Sequence, residues 1–430
     1  MENSKDYFSL ELLSNPNPKY LKTYKNFDPE KDQVLYSGLY WDEKEIQAAI
    51  KSLLSGKWIT TGEKVATFQN RFSKMFGVNH SHMVNSGSSA NLVLIASLKK
   101  RFKWKDGDEI LVSPVGFPTT IAPIVQNGMV PVFVDTEWET LNFNLDSLSR
   151  KITDKTVGIF VSPVLGNPPD LDRILAISQA HDLCVIGDNC DSLGSKWKNE
   201  WIHNYYYGWS TSFYPAHHIS TGEGGMVCSN DEELIDIARS ISWWGRDCHC
   251  VGASNLSQCG TCGNRFDYWL GIENGIMDHK YLFSNMGYNL KPLDLQGAIG
   301  IEQLKKFPEI EVLRRKNFFR MYDLIMKYID GVRIADVVAY SDPCWFGVPL
   351  ICKDNNHKTK LVNFLESNRI QTRNYFAGNI LLHPGYKHLD DANNYPNANE
   401  VWNKVFFLGC HPAYNDSVFD YIESVFKKWN

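Results

Sequence analysis

Apolar residues recur at helical intervals twice near the start of the chain. Ile46, Ile50, Leu53 and Leu54 mark one helix over Glu43–Leu54, and Val65, Phe68, Phe72 and Met75 mark another over Lys64–Phe76. A turn, Ser86-Gly87-Ser88-Ser89, then leads into an apolar helix at Leu92–Leu98. Beyond it, short apolar runs at Glu109–Ser113, Val130–Val134, Val157–Val161 and Leu183–Asp188 alternate with helical stretches. That rhythm predicts an α/β domain built on a mostly parallel sheet. The C-terminal part starts with helices at Asp294–Lys305 and Ile310–Tyr328. Apolar runs follow at Val332–Val338 and Trp345–Leu350, then an amphipathic segment at Lys358–Ser367. The expected organisation is an N-terminal arm (1–40, with Pro16 and Pro18), a large domain (41–293) and a smaller α+β domain (294–430).

At 430 residues and 43% hydrophobic composition the chain can bury a core of two-domain size. A net charge of -5 and the lack of any dense Lys/Arg run give no reason to expect a nucleic-acid partner. The N-terminus is polar, and no apolar stretch approaches the ~20 residues that span a bilayer, so a soluble cytoplasmic protein without a membrane role is expected. Ten cysteines then need an explanation, because a reducing cytosol disfavours structural disulfides. Cys248, Cys250, Cys259 and Cys262 crowd together, and Cys190 lies between Asp188 and Asp191. The other five sit among apolar neighbours and read as buried small hydrophobes. Structural zinc, a 2Fe-2S cluster and free thiols are all open readings of the group.

Two features carry candidate chemistry. The Gly87-Ser88 turn opens a helix, where free amides and the helix dipole favour an anion. Asp188 ends an apolar strand, the side of such sheets where ligands collect, and a carboxylate there can keep a pyridine nitrogen protonated. The run Ser212-Phe213-Tyr214-Pro215-Ala216-His217-His218-Ile219-Ser220-Thr221-Gly222-Glu223-Gly224-Gly225 resembles the stretch S-F-x-x-x-K-N-x-x-x-G-E-G-G of the DegT/DnrJ/EryC/StrS sugar aminotransferases, which use pyridoxal phosphate. The resemblance implies the fold type I, aspartate aminotransferase-like architecture. His217 stands in the lysine position and His218 in the asparagine position. A lysine amine ties the cofactor aldehyde covalently; an imidazole cannot, yet it remains an effective proton acceptor near neutrality. The exchange therefore implies pyridoxamine phosphate held non-covalently, a keto sugar as substrate, and loss of a hydroxyl as His217 removes a proton from the cofactor's C4′ carbon.

The same resemblance implies the remaining roles. Asp188 faces the pyridinium nitrogen and Asp191 takes the place, usually Gln, beside the ring's 3-hydroxyl. Gly87, Ser88 and Ser212 cradle the phosphate, Phe117 stacks on the ring, and Asn289 reaches the phosphate of a neighbouring subunit, which implies a homodimer with shared sites. Arg373, in Arg373-Asn374-Tyr375-Phe376-Ala377-Gly378-Asn379, resembles a segment near the nucleotide sugar. Within the family, the chain is similar to the 3-dehydrase branch that acts on CDP-4-keto-6-deoxyglucose in dideoxysugar and O-antigen (lipopolysaccharide) synthesis. That branch holds a 2Fe-2S cluster on C-x57-C-x-C-x7-C and takes electrons from an NAD(P)H-dependent flavin and iron-sulfur reductase. Here 57 residues separate Cys190 from Cys248 and one separates Cys248 from Cys250, so three ligands match. Cys262 lies in the matching context Thr261-Cys262-Gly263-Asn264-Arg265-Phe266 but follows Cys250 after eleven residues, and Cys259, after eight, is the alternative fourth ligand. Two other readings stay open: a cluster-free GDP-4-keto-6-deoxymannose-type dehydratase recycled by glutamate, and a zinc-stabilised non-catalytic relative.

Overall fold

Asp42 starts the first helix, Glu43–Leu54, by accepting from the Lys44 amide, while Glu45 reaches back to the Asp42 amide. The next helix, Glu63–Phe76, begins on Gly62, which has no side chain to cap it. Its cap comes from far along the chain: Asp294 Oδ1 accepts from the amides of Gly62, Lys64 and Val65 at 3.0, 2.9 and 3.0 Å. The computed structural model describes residues 27–55, 59–247, 266 and 278–429.

The strands, in chain order, are β1 (His80–Val84), β2 (Glu109–Val112), β3 (Val130–Phe133), β4 (Thr156–Val161), β5 (Cys184–Asp188), β6 (Lys196–Trp197), β7 (Glu200–Trp201), β8 (Gly208–Ser212), β9 (Gly225–Ser229), β10 (Val332–Ile334), β11 (Ser341–Asp342), β12 (Gly347–Cys352), β13 (Thr372–Asn374) and β14 (Val405–Gly409). A seven-stranded sheet in the order β1-β9-β8-β5-β4-β2-β3 forms the large domain, parallel from β8 to β3, with β9 antiparallel to both its neighbours. A four-stranded antiparallel sheet, β10-β12-β14-β13, forms the small one. Apolar periodicity does not reveal β8, whose sequence is Gly-Trp-Ser-Thr-Ser, although all five residues are buried. Its hydroxyls are satisfied locally, Ser210 donating to Asn91 and Thr211 to the Asn189 carbonyl, and this makes a polar strand tolerable in a core.

The two helices expected at 294–305 and 310–328 are one helix of 35 residues, Asp294–Tyr328, about 52 Å long. It runs through Pro308, a residue that costs roughly 3 kcal/mol inside a helix. Phe307 and Ile310 on either side are fully packed, and this burial outweighs the lost hydrogen bond. Leu304 and Phe307 join the apolar cluster against the seven-stranded sheet, whereas Phe318, Met321 and Ile325 join the cluster against the four-stranded sheet. The helix therefore packs on both sheets. Among the described residues, no helix is long and apolar enough to cross a membrane.

Two buried histidines of the large domain link stability to pH. His82 Nε2 is 2.7 Å from the Ser242 hydroxyl, and His203 Nε2 is 2.7 Å from the Phe76 carbonyl while its ring stacks on Trp209. Burial pushes their pKa values down to about 3 and about 4. In the unfolded chain they titrate near 6.5, so the unfolded state binds more protons below that pH. Their contribution is whole above pH ~6.5 and is lost as pH falls, at about 1.4 kcal/mol per group per pH unit. Denaturant midpoints measured from pH 7.5 down to pH ~5 should fall, and less steeply in His203→Gln; equal slopes in the two proteins would contradict this account.

Candidate active site

The site forms where β5 ends. Asp188 is buried there, and its Oδ2 accepts from Asn91 Nδ2 at 2.8 Å and Thr120 Oγ1 at 2.7 Å. Its Oδ1 accepts from the Cys190 amide at 3.2 Å. The two side-chain donors come from helices Gly87–Phe102 and Pro118–Gln126 and the amide from the turn after β5, so three elements fix one carboxylate. It faces a cavity of about 870 Å³ whose walls include Gly87, Ser88, Phe117, Asp188, Cys190, Asp191, Ser212 and His217. Eight of the sequence-derived candidates thus converge. Asn289 is not among the cavity residues of its own chain: it pairs across a bridge with Trp243 and accepts from Lys291 Nζ at 2.5 Å. Cys248, Cys250, Cys259 and Cys262 lie outside the described residues.

One end of the cavity is the helix start at Gly87, one turn earlier than the apolar pattern indicates. Ser86 caps the helix through the Ser89 amide at 3.0 Å, and the Ser88 hydroxyl donates to Thr119 Oγ1 at 3.1 Å. A Cβ on Gly87 would stand 2.4 Å from Ser212 Cβ, 2.8 Å from its Oγ and 3.1 Å from Cys190 Sγ. Only glycine lets the turn approach this wall. Phe117, half exposed, leads into helix Pro118–Gln126 and meets Phe376 edge-on at 6.0 Å. An amide-lined turn with a hydroxyl, an open aromatic face and a fixed carboxylate fit the phosphate, ring and nitrogen of a pyridoxal-type cofactor.

The two adjacent histidines diverge. His218 is buried, its Nε2 2.8 Å from the Cys344 carbonyl, and it does not line the cavity. His217 lines it, with Nδ1 3.6 Å from Asp191 Oδ1 and Phe346 5.3 Å from the imidazole between centroids. Burial, reinforced by the Arg314 charge, pushes the His217 pKa down to about 3, so the ring is neutral and able to accept a proton. Burial and the nearby Asp188 push Asp191 up to about 7. The loop that carries both histidines is held by main-chain contacts. Ser37 Oγ donates to the Ala216 carbonyl at 2.6 Å, Gln296 Nε2 to the Glu223 carbonyl at 2.5 Å, and the Ser220 amide to Gln303 Oε1 at 3.2 Å.

The chain matches the model of the DegT/DnrJ/EryC1/StrS aminotransferase family over residues 41–427. It belongs to that family. Its structure has the pyridoxal phosphate-dependent aminotransferase-like fold expected of it. It is 37% identical to a dTDP-4-dehydro-2,6-dideoxy-D-glucose 3-dehydratase of Saccharopolyspora spinosa, over 96% of this chain and 92% of that one. It is 35% identical to the lipopolysaccharide biosynthesis protein RfbH of Salmonella typhimurium, over 91% of each chain. The solved E. coli GDP-4-keto-6-deoxy-D-mannose-3-dehydratase with bound hydrated PLP superposes with a TM-score of 0.80 at 32% identity, over 92% of this chain and all of that one.

Asn91, Thr120 and Arg314 carry no motif and escape sequence reading. Asn91 and Thr120 have only their buried polar character inside apolar helices as a signal. Thr120→Val keeps the shape of the side chain and removes one donor to a buried carboxylate, a loss of about 2 kcal/mol. Denaturant unfolding should show it, and an unchanged midpoint would mean that Asn91 and the Cys190 amide suffice for Asp188.

Proposed function

We propose that the chain is a pyridoxamine phosphate-dependent dehydratase that removes the C3 hydroxyl of a nucleotide-linked 4-keto-6-deoxyhexose. One observation carries this reading: His217 stands in the family's lysine position, on the wall of the Asp188 cavity, and the described cavity residues include no lysine. When bound, the cofactor supplies an amine for the sugar's keto carbon and a ring that takes up electrons. Gly87, Ser88 and Ser212 hold its phosphate, Phe117 covers a ring face, and Asp188 keeps the ring nitrogen protonated. Asp191 stands at the ring's 3-hydroxyl side. His217, with its neutral ring on the cavity wall, would move a proton from the cofactor's C4′ carbon to the hydroxyl that leaves as water, and Asp191 Oδ1, 3.6 Å from its Nδ1, would offset the transient imidazolium charge. Asn289, away from the cavity of its own chain, serves the partner site in a homodimer.

The nucleotide and the reductive step rest on the cysteines. We take CDP-4-keto-6-deoxyglucose as substrate because the spacing from Cys190 to Cys248 and Cys250 follows that branch; two of the three relatives above are named for a dTDP- and a GDP-sugar. Cys190, Cys248, Cys250 and Cys262, or Cys259 in place of the last, would hold a 2Fe-2S cluster fed with single electrons by an NAD(P)H-dependent flavin and iron-sulfur reductase. Among the described residues, no three His, Cys, Asp or Glu side chains group as a metal site. The support in the fold is Cys190 itself, whose thiol lies on the cavity wall beside Gly87.

His217→Asn should slow dehydration by about 100-fold or more while pyridoxamine phosphate still binds. In His217→Lys, pyridoxal phosphate and borohydride should label residue 217, which the wild type cannot show. Undiminished dehydration in His217→Asn would sink the reading. Anaerobically purified protein should contain about two irons and two acid-labile sulfides per chain, lost in Cys190→Ser. Zinc, or no metal, would move the reading to the cluster-free, glutamate-recycled dehydratase.

A further inference from the structure

The ring of His217 has little to hold it. Its Nδ1 is buried without a hydrogen-bond partner among the described residues, and its flanking groups are the aromatic rings of Phe346 and Tyr214 at 5.3 and 6.3 Å. Asp191 Oδ1 lies 3.6 Å from that nitrogen and the Cys190 main chain meets the ring, so its aim depends on these neighbours and on its own main chain. The main chain at that point is bound by Ser37, whose Oγ donates to the Ala216 carbonyl, and by one side chain of the long helix. Arg314, 1% exposed, donates from Nη2 to the carbonyls of Ala216 at 3.1 Å and His217 at 3.3 Å, and from Nη1 to those of Trp345 at 3.3 Å and Phe346 at 3.1 Å.

Arg314 has no ion pair among the described residues, unlike its neighbour Arg315, which pairs with Glu311 and Asp342. A buried charge without a directly paired carboxylate is costly; its four carbonyl partners stabilise it, and its charge also acts on Asp191. The planar fork presents paired donors in a fixed geometry that an ammonium cannot reproduce. One pair of donors grips the His217 loop and the other grips the segment leading into β12, which places Phe346 against the imidazole. We propose that Arg314 is a positioning residue for His217, locking the loop of the large domain to the small-domain sheet so that the imidazole and its Phe346 wall keep one geometry. The catalytic part of this inference rests on the dehydratase reading; the clamp does not.

The test uses the full-length holoenzyme and its Arg314→Lys and Arg314→Met variants. Arg314→Lys retains the charge and some donors, and stands in if Arg314→Met does not fold. With CDP-4-keto-6-deoxyglucose as substrate, kcat in Arg314→Lys should fall about 10- to 100-fold while KM stays within about twofold, as expected when a catalytic group is misplaced and binding is intact. Amide hydrogen exchange at residues 214–221 should rise about tenfold or more, with β5 unchanged. In Arg314→Ala, millimolar guanidinium, and not sodium chloride, should restore part of kcat. Exchange at 214–221 equal to wild type overturns the clamp. Raised exchange with unchanged kcat, or kcat and KM shifting together, overturns the positioning role. A wild-type protein that dehydrates no substrate sinks the functional reading, and the exchange comparison still decides whether Arg314 holds the loop.

Discussion

The structure depends on the burial of an irregular segment. Residues 213–224 are neither helix nor strand, yet most are buried between the seven-stranded sheet and the long helix, so their amides and carbonyls need partners away from water. The long helix supplies them. Gln296, Gln303 and Arg314 are spaced by seven and eleven residues, which returns each to nearly the same face, and they bind the segment at Glu223, at Ser220, and at Ala216 and His217. Asp294, at the start of the helix, caps Glu63–Phe76 in the same way. The helix that packs on both sheets is therefore also the one that shapes the loop carrying His217.

That arrangement separates two chemically identical neighbours. His217 and His218 differ by one position, and the loop turns one ring toward the cavity and the other toward the Cys344 carbonyl. Neither is protonated at neutral pH, since burial and the Arg314 charge push both down. For His218 neutrality is a condition of packing, because a charged ring would be stranded in the core. For His217 the same neutrality leaves a ring nitrogen able to take a proton, which a lysine held as ammonium could not do.

Most of the scaffold could be read from apolar spacing, and the site from one motif and one turn. Strands β2 to β5 and the first two helices lie close to where their patterns put them, because each buries a simple apolar face. Strand β8 was hidden because its core contacts are made by serine and threonine hydroxyls rather than aliphatic groups. The continuity of the long helix was hidden because Pro308 is a local signal, whereas the packing that overrides it comes from clusters against two different sheets. Asn91, Thr120 and Arg314 were invisible for a related reason: each binds a partner tens of residues away, and no spacing rule encodes that. The grouped cysteines were legible as a pattern, and of the proposed ligands only Cys190 can be placed in the fold.

Asp188, Cys190 and Asp191 bring three groups that can each become negative into four residues at the end of β5, Asp188 and Asn189 buried and Cys190 and Asp191 largely so. Their burial and mutual repulsion oppose ionisation of all three, and the Arg314 charge offsets this only in part. Burial together with Asp188 raises Asp191 to about 7, and burial together with both carboxylates raises the Cys190 thiol well above its usual range. The strand end therefore stores protons that a positive charge can displace. A pyridinium nitrogen against Asp188, an imidazolium against Asp191, or a metal on Cys190 would each relieve the same repulsion, and thiolate ligation in particular requires the proton to leave. The density of acids here is costly for an empty protein and is consistent with a site shaped around cations that arrive from elsewhere.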